Sequence, residues 1–168
     1  ISETDYLLLE NTLSRFSGNS IGLTIAPTMK CNFRCPYCYE KGRNLATMTT
    51  EIIEKTKTFI SSLKRNYNDI SITWYGGEPL LALPIIDELM KLSINVFGSK
   101  NVHSNMISNG YLLNEHALKT LKELSIDHIQ ITIDGPPDIH NQRRCLPNKS
   151  DTFFVIFENI KKATQIYP

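Results

Sequence analysis

The chain has 168 residues, enough for one domain with its own hydrophobic core. With 41% hydrophobic residues, 21% charged residues and a formal net charge of +1, it has the composition of an ordinary globular protein and no basic block typical of a nucleic-acid binder. No apolar run approaches the ~20 residues of a membrane span and no secretion signal is recognisable, so we expect neither nucleic acid nor membrane as a partner.

The predicted elements alternate between helix and strand. A leading helix at residues 4–15 precedes a strand at 23–26, which Pro27 is expected to stop because proline lacks the N–H that a sheet uses. The later strands are predicted at 70–75, 102–108 and 129–133. The helices before and between them run from Thr49 or Thr50 to Leu63, from a first turn that contains Pro84 to Gly98, and from the cap Asn114 to Leu124. Asp151 or Thr152 opens a last helix.

Strands that alternate with helices of this length predict parallel strands joined by right-handed crossovers. The fold class is therefore α/β, with four strand–helix units that form an open sheet or part of a barrel. Four units are too few to close an eight-stranded barrel. No strand is predicted after the last helix, so the fourth strand is expected to be an uncovered edge.

An unusual segment follows each of the four predicted strands. Because the carboxyl ends of parallel strands meet at one rim of a sheet, these segments are expected to form a single site. They are, in order, the cysteine segment 31–38, the segment 76–79 with two glycines and a glutamate, the segment 108–110, and the segment 134–137.

Three of the four cysteines, Cys31, Cys35 and Cys38, fall within eight residues, which favours metal binding in a reducing cytoplasm over a disulfide framework. Thiolates at this spacing can hold three irons of a [4Fe–4S] cluster, which normally has four cysteine ligands, and would leave one iron open. The alternatives are a zinc site with a distant fourth ligand, or buried cysteines without metal. The missing ligand counts against structural zinc, which is usually closed. Cys145, in a polar loop, is interpreted as a bystander.

The other motifs have two interpretations each. Gly76 and Gly77 would let a ligand approach the backbone, and Glu78 could accept hydrogen bonds from an ammonium group. Taken alone, however, the segment is more typical of a strand-to-helix turn with a solvated glutamate. Asn109 and Asp134, each followed by glycine, are likewise typical turn residues.

Together these motifs resemble the radical S-adenosylmethionine (SAM) enzymes. Cys31-x3-Cys35-x2-Cys38 with its following Tyr39, the segment 74–79 and the segment 133–136 are most similar to the branch with a C-terminal SPASM domain, which includes anaerobic sulfatase maturases and peptide maturases. The resemblance covers about residues 20–165. It implies a partial parallel (β/α) barrel of the radical SAM type, with about four of the usual six units.

The same resemblance implies a domain organisation. Residues 1–20 would be an N-terminal extension with a short helix, and residues 21–168 an incomplete radical SAM core without the last barrel strands and the SPASM domain. Because the sequence starts with isoleucine and lacks those parts, we expect a fragment of a longer enzyme or a truncated gene product. Such a chain is expected to hold a cluster and bind SAM poorly, without turning over a physiological substrate.

The resemblance also implies one role for each matching residue. Arg144 ends a stretch, residues 140–144, that resembles the family's His-Asp-x-x-Arg, with Asn141 in place of the usual Asp. The implied roles are cluster ligation by Cys31, Cys35 and Cys38, an adenine neighbour in Tyr37, capture of the SAM amino group by Gly76, Gly77 and Glu78, contact with the ribose region by Asn109 and Thr132, pairing with the SAM carboxylate by Arg144, and a catalytic, substrate-facing position for Asp134.

By the same resemblance, the cofactors are a [4Fe–4S] cluster and SAM, which together yield a 5′-deoxyadenosyl radical. The substrate would be a peptide or protein, modified by thioether formation or a similar maturation, and the reductant a flavodoxin or ferredoxin. Two alternatives stay open: a zinc-binding or metal-free interaction module, and a radical SAM enzyme that acts on a small molecule or tRNA. The balanced charge argues against tRNA.

Overall fold

The structure, a computed structural model, describes residues 2–16, 18–42 and 44–167. The predicted α/β fold is confirmed. Its helices and strands are, in chain order, α1 (Glu3–Phe16), β1 (Ser20–Thr28), α2 (Thr50–Leu63), β2 (Asp69–Gly76), α3 (Leu83–Phe97), β3 (Val102–Ser108), α4 (Glu115–Glu123), β4 (His128–Ile131), α5 (Pro137–Arg143) and α6 (Phe153–Ile166), with 3-10 turns at Pro79–Ala82 and Ser99–Asn101.

The four strands form one parallel sheet in the order β1-β2-β3-β4. Each strand lies beside the one that precedes it in the chain, and a helix occupies each connection, as expected of parallel strand–helix–strand units. Within the described ranges, β3 is the only strand that pairs with β4, so the fourth strand is an edge, as predicted.

Burial alternates along the strands and separates the two faces of the sheet. On β2, Ile70, Ile72 and Trp74 are fully buried and belong to one core cluster with apolar residues of α2, α3 and α4. Thr73 and Tyr75, which point to the other face, are only partly buried. A sheet with helices on one face and a second face lined by mixed residues is the geometry of an open barrel wall.

The predicted helix starts are confirmed at two caps. The Thr49 hydroxyl accepts a hydrogen bond from the Ile52 amide at 3.3 Å, and Asn114 Oδ1 accepts one from the Ala117 amide at 3.0 Å. These side chains satisfy amides that the first helical turn leaves unpaired. Gly98 ends α3 with a φ of +85°, a conformation that glycine adopts readily.

The prediction that Pro27 stops the first strand is wrong. β1 continues to Thr28, and its register with β2 shifts between Ile25 and Thr28, where proline has no N–H to contribute. The Pro27 carbonyl instead accepts a hydrogen bond from the Met48 amide at 3.0 Å. An irregular pairing on an outer strand accommodates a proline that a central strand would exclude.

The sequence prediction also placed the end of β4 too late and missed α5. β4 ends at Ile131, so Thr132 and the residues after it belong to the loop rather than to a strand at 129–133. The seven residues of α5 follow after the loop 132–136, with Pro137 in the first turn and Asp138 at the amino-terminal end. Both are helix-start signals, but the segment is too short for a periodic apolar stripe.

Helix α1 precedes the sheet and leaves a row of leucines exposed, among them Leu7, Leu8 and Leu13. The division of the chain at residues 20 and 21 stays a prediction. In the described part of the chain, no helix is both long enough and apolar enough to cross a membrane.

Candidate active site at the carboxyl rim of the sheet

A cavity of about 660 Å³ lies where β1, β2 and β3 end. It brings together most of the residues that the sequence singled out. Those that line it are Cys31, Cys35, Cys38, Tyr37, Gly76, Gly77, Asn109, Thr132 and Arg144. Glu78 and Asp134 are not among the lining residues, although both contact residues that are.

The cysteine loop leaves the end of β1 and is held in place by a buried aromatic residue. The Phe33 ring is almost fully buried and packs edge-on against Tyr111, with 5.8 Å between ring centroids. The Phe33 amide donates to Cys31 Sγ at 3.4 Å, which fixes the first thiol. The three thiols thus share one cavity, yet in the described ranges no three His, Cys, Asp or Glu side chains converge as ligands of one metal ion.

Burial makes the Cys31 and Cys35 thiols weaker acids than an ordinary cysteine. It raises the pKa of Cys31, and it raises the pKa of Cys35 to about 11, against the opposing effect of the nearby Arg144 charge. Both side chains therefore favour the neutral thiol in the absence of a cation. A metal centre reverses that preference, because a coordinated thiol loses its proton.

Cys145 lies directly against this loop. The Arg34 amide donates to the Cys145 carbonyl at 2.7 Å, and Cys145 Sγ lies 3.7 Å from the Arg34 carbonyl oxygen. The fourth cysteine is thus a neighbour of the cysteine loop, although its side chain does not line the cavity.

The two glycines are required by the cysteine loop itself. A Cβ on Gly76, which has a φ of +114°, would lie 2.4 Å from the Thr28 carbonyl oxygen, and one on Gly77 would lie 2.3 Å from that of Lys30. The Gly77 amide donates to Thr28 and the Glu78 amide to Lys30, at 3.1 and 2.9 Å. The glycines therefore let the backbones that follow β1 and β2 touch, while the same residues line the cavity.

Glu78 is fully buried beside the cavity rather than solvated in a turn. Its Oε1 accepts from the Leu80 amide at 3.1 Å and the Ser108 hydroxyl at 2.9 Å, and its Oε2 accepts from the Asn109 amide at 2.8 Å. Burial raises the pKa of this carboxyl, opposed by these donors. The interpretation as a solvated turn residue is wrong, because the carboxylate ties the end of β2 to the end of β3.

Asn109 connects β3 to the cysteine loop. Its Nδ2 donates to Asn32 Oδ1 at 2.7 Å and lies 3.9 Å from Cys31 Sγ, while its Oδ1 accepts from the Tyr111 amide at 3.0 Å. Asn109 is therefore more than a turn residue: its amide is fixed at both ends within the cavity wall.

Asp134, Tyr37 and Arg144 form a second connection between distant loops. The Tyr37 hydroxyl donates to Asp134 Oδ2 and accepts from Arg144 Nη1 at 2.9 Å, and the Arg143 guanidinium lies over the Tyr37 ring at 5.3 Å. Burial and the Asp134 hydrogen bond raise the pKa of Tyr37. The Asp134 carboxylate is thus paired with the residues around it, so in this structure it faces Tyr37 rather than the open cavity.

Helix α5 positions Arg144, through contacts that the sequence did not predict. Asn141 Oδ1 accepts from the Thr152 and Phe153 amides, both at 3.0 Å, and so caps α6, while the Thr152 hydroxyl donates to the Arg144 carbonyl at 2.6 Å. Fully buried His140 accepts from the Asp134 amide at its Nδ1, at 3.3 Å. The sequence carries no local signal for this arrangement, because Asn141 caps amides that lie eleven and twelve residues further along the chain.

The sequence model of the radical SAM superfamily matches residues 25–168. The chain belongs to the radical SAM superfamily. It is 29% identical over 161 residues to a cysteine-type anaerobic sulfatase-maturating enzyme of Clostridium perfringens, a match that covers 88% of this chain and 40% of that enzyme.

Two further relatives differ in the reactions that their names state. A PqqA peptide cyclase of Gluconobacter oxydans is 30% identical over 116 residues, which cover 69% of this chain and 31% of the cyclase. A probable GTP 3′,8-cyclase of Methanococcus maripaludis is 34% identical over 119 residues, which cover 68% of this chain and 36% of that protein. The chain spans less than half the length of each of these relatives.

Solved structures show the same fold. Native anSMEcpe with bound AdoMet and the Cp18Cys peptide superposes with a TM-score of 0.74 at 26% identity, over 88% of this chain and 40% of that one. SuiB of Streptococcus suis bound to S-adenosylmethionine superposes with a TM-score of 0.64 at 16% identity, over 99% and 38%, which is a likeness of fold alone. The predicted partial barrel of the radical SAM type is therefore confirmed.

Proposed function

We propose that this chain is the cofactor-binding part of a radical SAM enzyme that modifies a peptide or protein. The observation that carries the proposal is the cavity at the carboxyl rim, in which Cys31, Cys35 and Cys38 meet two glycines, Asn109 and Arg144 in a chain of this superfamily. The cofactors would be a [4Fe–4S] cluster and SAM, as the family implies.

The residues of the cavity fit these groups. Cys31, Cys35 and Cys38 line the same cavity, so three thiolates are available to a cluster in which each would bind a different iron. Arg144 lines the cavity with a buried Nε that has no hydrogen-bond partner, so it has a donor left for an anionic ligand group. In this proposal Arg144 takes the SAM carboxylate, and the backbone of Gly76 and Gly77 faces the amino group.

When bound, a [4Fe–4S] cluster and SAM would supply one-electron radical chemistry. The chain's own residues ligate, orient and exclude water. Asn109 holds the Cys31 side of the cavity through Asn32, and Thr132 lines the wall from the loop that follows β4. Tyr37, held by Asp134 and Arg144, provides an aromatic surface for the adenine.

For Glu78 we propose a positioning role in place of the capture of the SAM amino group that the resemblance implied. All the hydrogen bonds that the structure assigns to its carboxylate are to residues 80, 108 and 109, and its side chain is absent from the described cavity wall. In our proposal Glu78 positions Asn109 and the backbone that follows β2, and does not itself contact the SAM amino group.

A peptide or protein substrate is supported by the relatives. One is a sulfatase-maturating enzyme and another a peptide cyclase, and the anSMEcpe structure contains a bound peptide. We extend this to peptide maturation, with thioether formation as the lead reaction, a flavodoxin or ferredoxin as the reductant and the cytoplasm as the location.

A second candidate is a reaction on a small molecule. It is favoured by the identity of 34% to a probable GTP 3′,8-cyclase, which exceeds the identity to either maturation relative. The two candidates share the cofactor site and differ only in what enters the cavity afterwards.

Anaerobic reconstitution with iron and sulfide tests the shared part of the proposal. We expect about four irons per chain and an electron paramagnetic resonance (EPR) signal of the reduced protein that changes when SAM is added. A colourless protein that retains zinc instead would contradict the proposal and favour the interaction-module alternative. Iron without any response to SAM would contradict the assignment of the SAM site.

A further inference from the structure

Glu40 is a buried acid in the cavity wall that the proposed cofactor roles do not use. It follows the last cysteine of the motif by two residues and is only 7% exposed. Its Oε2 has no hydrogen-bond partner. Among the described residues that line the cavity, Glu40 is the only carboxylate.

A carboxylate oxygen in such a place needs a donor from elsewhere. Removing a charged acceptor from water without a compensating hydrogen bond is unfavourable, and native structures rarely retain such an atom unless a ligand or water satisfies it. The missing partner of Glu40 Oε2 would be a group that enters the cavity and carries N–H donors. A positively charged group is favoured, because a cation pairs best with a buried carboxylate.

The cavity that Glu40 lines combines tyrosine hydroxyls and apolar side chains with the cations Arg34, Lys41 and Arg144. Burial, the Tyr75 hydroxyl and the Glu40 carboxyl raise the pKa of the adjacent Tyr39. The Tyr39 hydroxyl donates to the Tyr75 hydroxyl at 2.6 Å, and both tyrosines line the cavity. Met29, Leu45 and Ile107 line the same cavity. An acid beside hydroxyls, in a cavity that also has apolar walls, suits a cation on an aliphatic stem, because the stem packs on apolar surface while the ammonium group takes the polar contacts.

We propose that Glu40, together with the Tyr39 and Tyr75 hydroxyls, forms a subsite for an alkylammonium group, the lysine side chain of a peptide substrate. This inference rests on the proposed function, because it assigns a substrate group to the same cavity. It adds a requirement that the cofactor site alone does not contain: a positive charge on the substrate.

The first test observes the Glu40 carboxyl carbon directly. The chain is labelled with [13Cδ]glutamate, and n-butylammonium chloride serves as a probe of the lysine side chain, with n-butanol and sodium chloride at matched concentration as controls. The Glu40 resonance is the one missing from Glu40→Gln, or from Glu40→Asp if the first variant fails to fold. Glu123→Gln, at an exposed position of α4, identifies a matched reference resonance.

We expect the Glu40 resonance to shift saturably with n-butylammonium, and not with n-butanol or sodium chloride, while the Glu123 resonance shows no saturable shift. A Glu40 resonance that does not move, or that moves equally with the controls, would overturn the subsite.

The second test separates the substrate from the cofactor, since SAM also carries an ammonium group. In the reconstituted wild-type chain, formation of 5′-deoxyadenosine is measured against SAM concentration with and without n-butylammonium. A KM for SAM that stays within about twofold supports the substrate assignment. A KM that rises in proportion to the probe would overturn it, because Glu40 would then serve the cofactor. If the iron-loaded chain forms no 5′-deoxyadenosine, the proposed function fails, and the carbon resonance still decides whether Glu40 binds the cation.

Discussion

Arg144 donates a hydrogen bond to the Tyr37 hydroxyl across 107 residues of sequence, at 2.9 Å. The contact joins the loop that follows α5 to the cysteine loop that follows β1. Because the same hydroxyl also donates to Asp134, three side chains hold the cavity wall together before any ligand is present.

Removing the Tyr37 hydroxyl should weaken the binding of SAM without affecting the cluster. Tyr37→Phe keeps the ring but leaves Asp134 and Arg144 without their shared partner, so we expect the KM for SAM to rise roughly tenfold, about 1.4 kcal/mol, at unchanged iron content. Tyr6→Phe removes a comparable hydroxyl from exposed α1, where it donates to Glu10 at 2.8 Å, and serves as the control. Equal KM values in the two variants would refute the role of Tyr37.

The three cysteines of the cavity should be individually necessary for iron. Each of Cys31→Ala, Cys35→Ala and Cys38→Ala is expected to lower the iron content from about four per chain to below about one, because a cluster with two protein ligands is poorly held. Cys145→Ala is a stringent control, since this thiol lies against the same loop outside the cavity. Loss of iron in Cys145→Ala would show that the fourth cysteine takes part in ligation.

The glycine pair should be intolerant of even one methyl group. Gly77→Ala places a Cβ 2.3 Å from one carbonyl oxygen and 2.5 Å from another, so we expect a loss on the order of 2–4 kcal/mol in the free energy of unfolding, measured by urea denaturation. Gly22→Ala in β1 has no atom within 4 Å of its new Cβ and should change stability by less than about 0.5 kcal/mol. Similar losses in both variants would contradict the close approach after β2.

Asn141 should matter as a helix cap. Asn141→Ala removes the acceptor of the Thr152 and Phe153 amides and is expected to cost about 1–2 kcal/mol in the free energy of unfolding. Asn141→Asp, which restores the residue that the family motif usually has, should be at least as stable as the wild type because Asp also caps and its charge favours a helix amino terminus. An aspartate variant as unstable as the alanine variant would show that the cap is not the reason.

His140 should make the protein less stable in mild acid. Burial, then the Arg144 charge, lowers the pKa of His140 below its usual 6.5, and the buried Nδ1 accepts a hydrogen bond that only the unprotonated atom can accept. Below pH 6.5 the unfolded state therefore binds a proton that the folded state does not. The free energy of unfolding should fall with pH from about 6.5 down to the folded pKa, with a slope of at most about 1.4 kcal/mol per pH unit.

The control for this pH dependence is His140→Asn, whose Oδ1 can accept from the Asp134 amide but does not titrate. Urea denaturation of both proteins between about pH 7.5 and 5.5 should show a steeper decline for the wild type. Parallel curves would assign the decline to other groups.

The sequence by itself determined the order of the helices and strands and showed that the metal-binding motif follows the carboxyl end of β1. Alternating apolar residues specified β2 and β3, a capping residue marked the starts of α2 and α4, and the spacing of Cys31, Cys35 and Cys38 placed a metal-binding motif after β1. These features are local, because strand periodicity, caps and ligand spacing each depend on residues that are close in sequence. The SPASM branch and the division at residue 20 stay predictions.

Only the tertiary structure decided what the motif residues contact. Gly76 and Gly77 leave room for the backbone of the cysteine loop to pack against them. Glu78 is buried between the ends of β2 and β3, and Asp134 pairs with Tyr37 and Arg144. The short helix α5 and the irregular strand pairing at Pro27 likewise depend on residues that are distant in the sequence. The physical reason is that burial and hydrogen-bond partners are set by the close packing of distant loops at the rim, which no spacing along the sequence encodes.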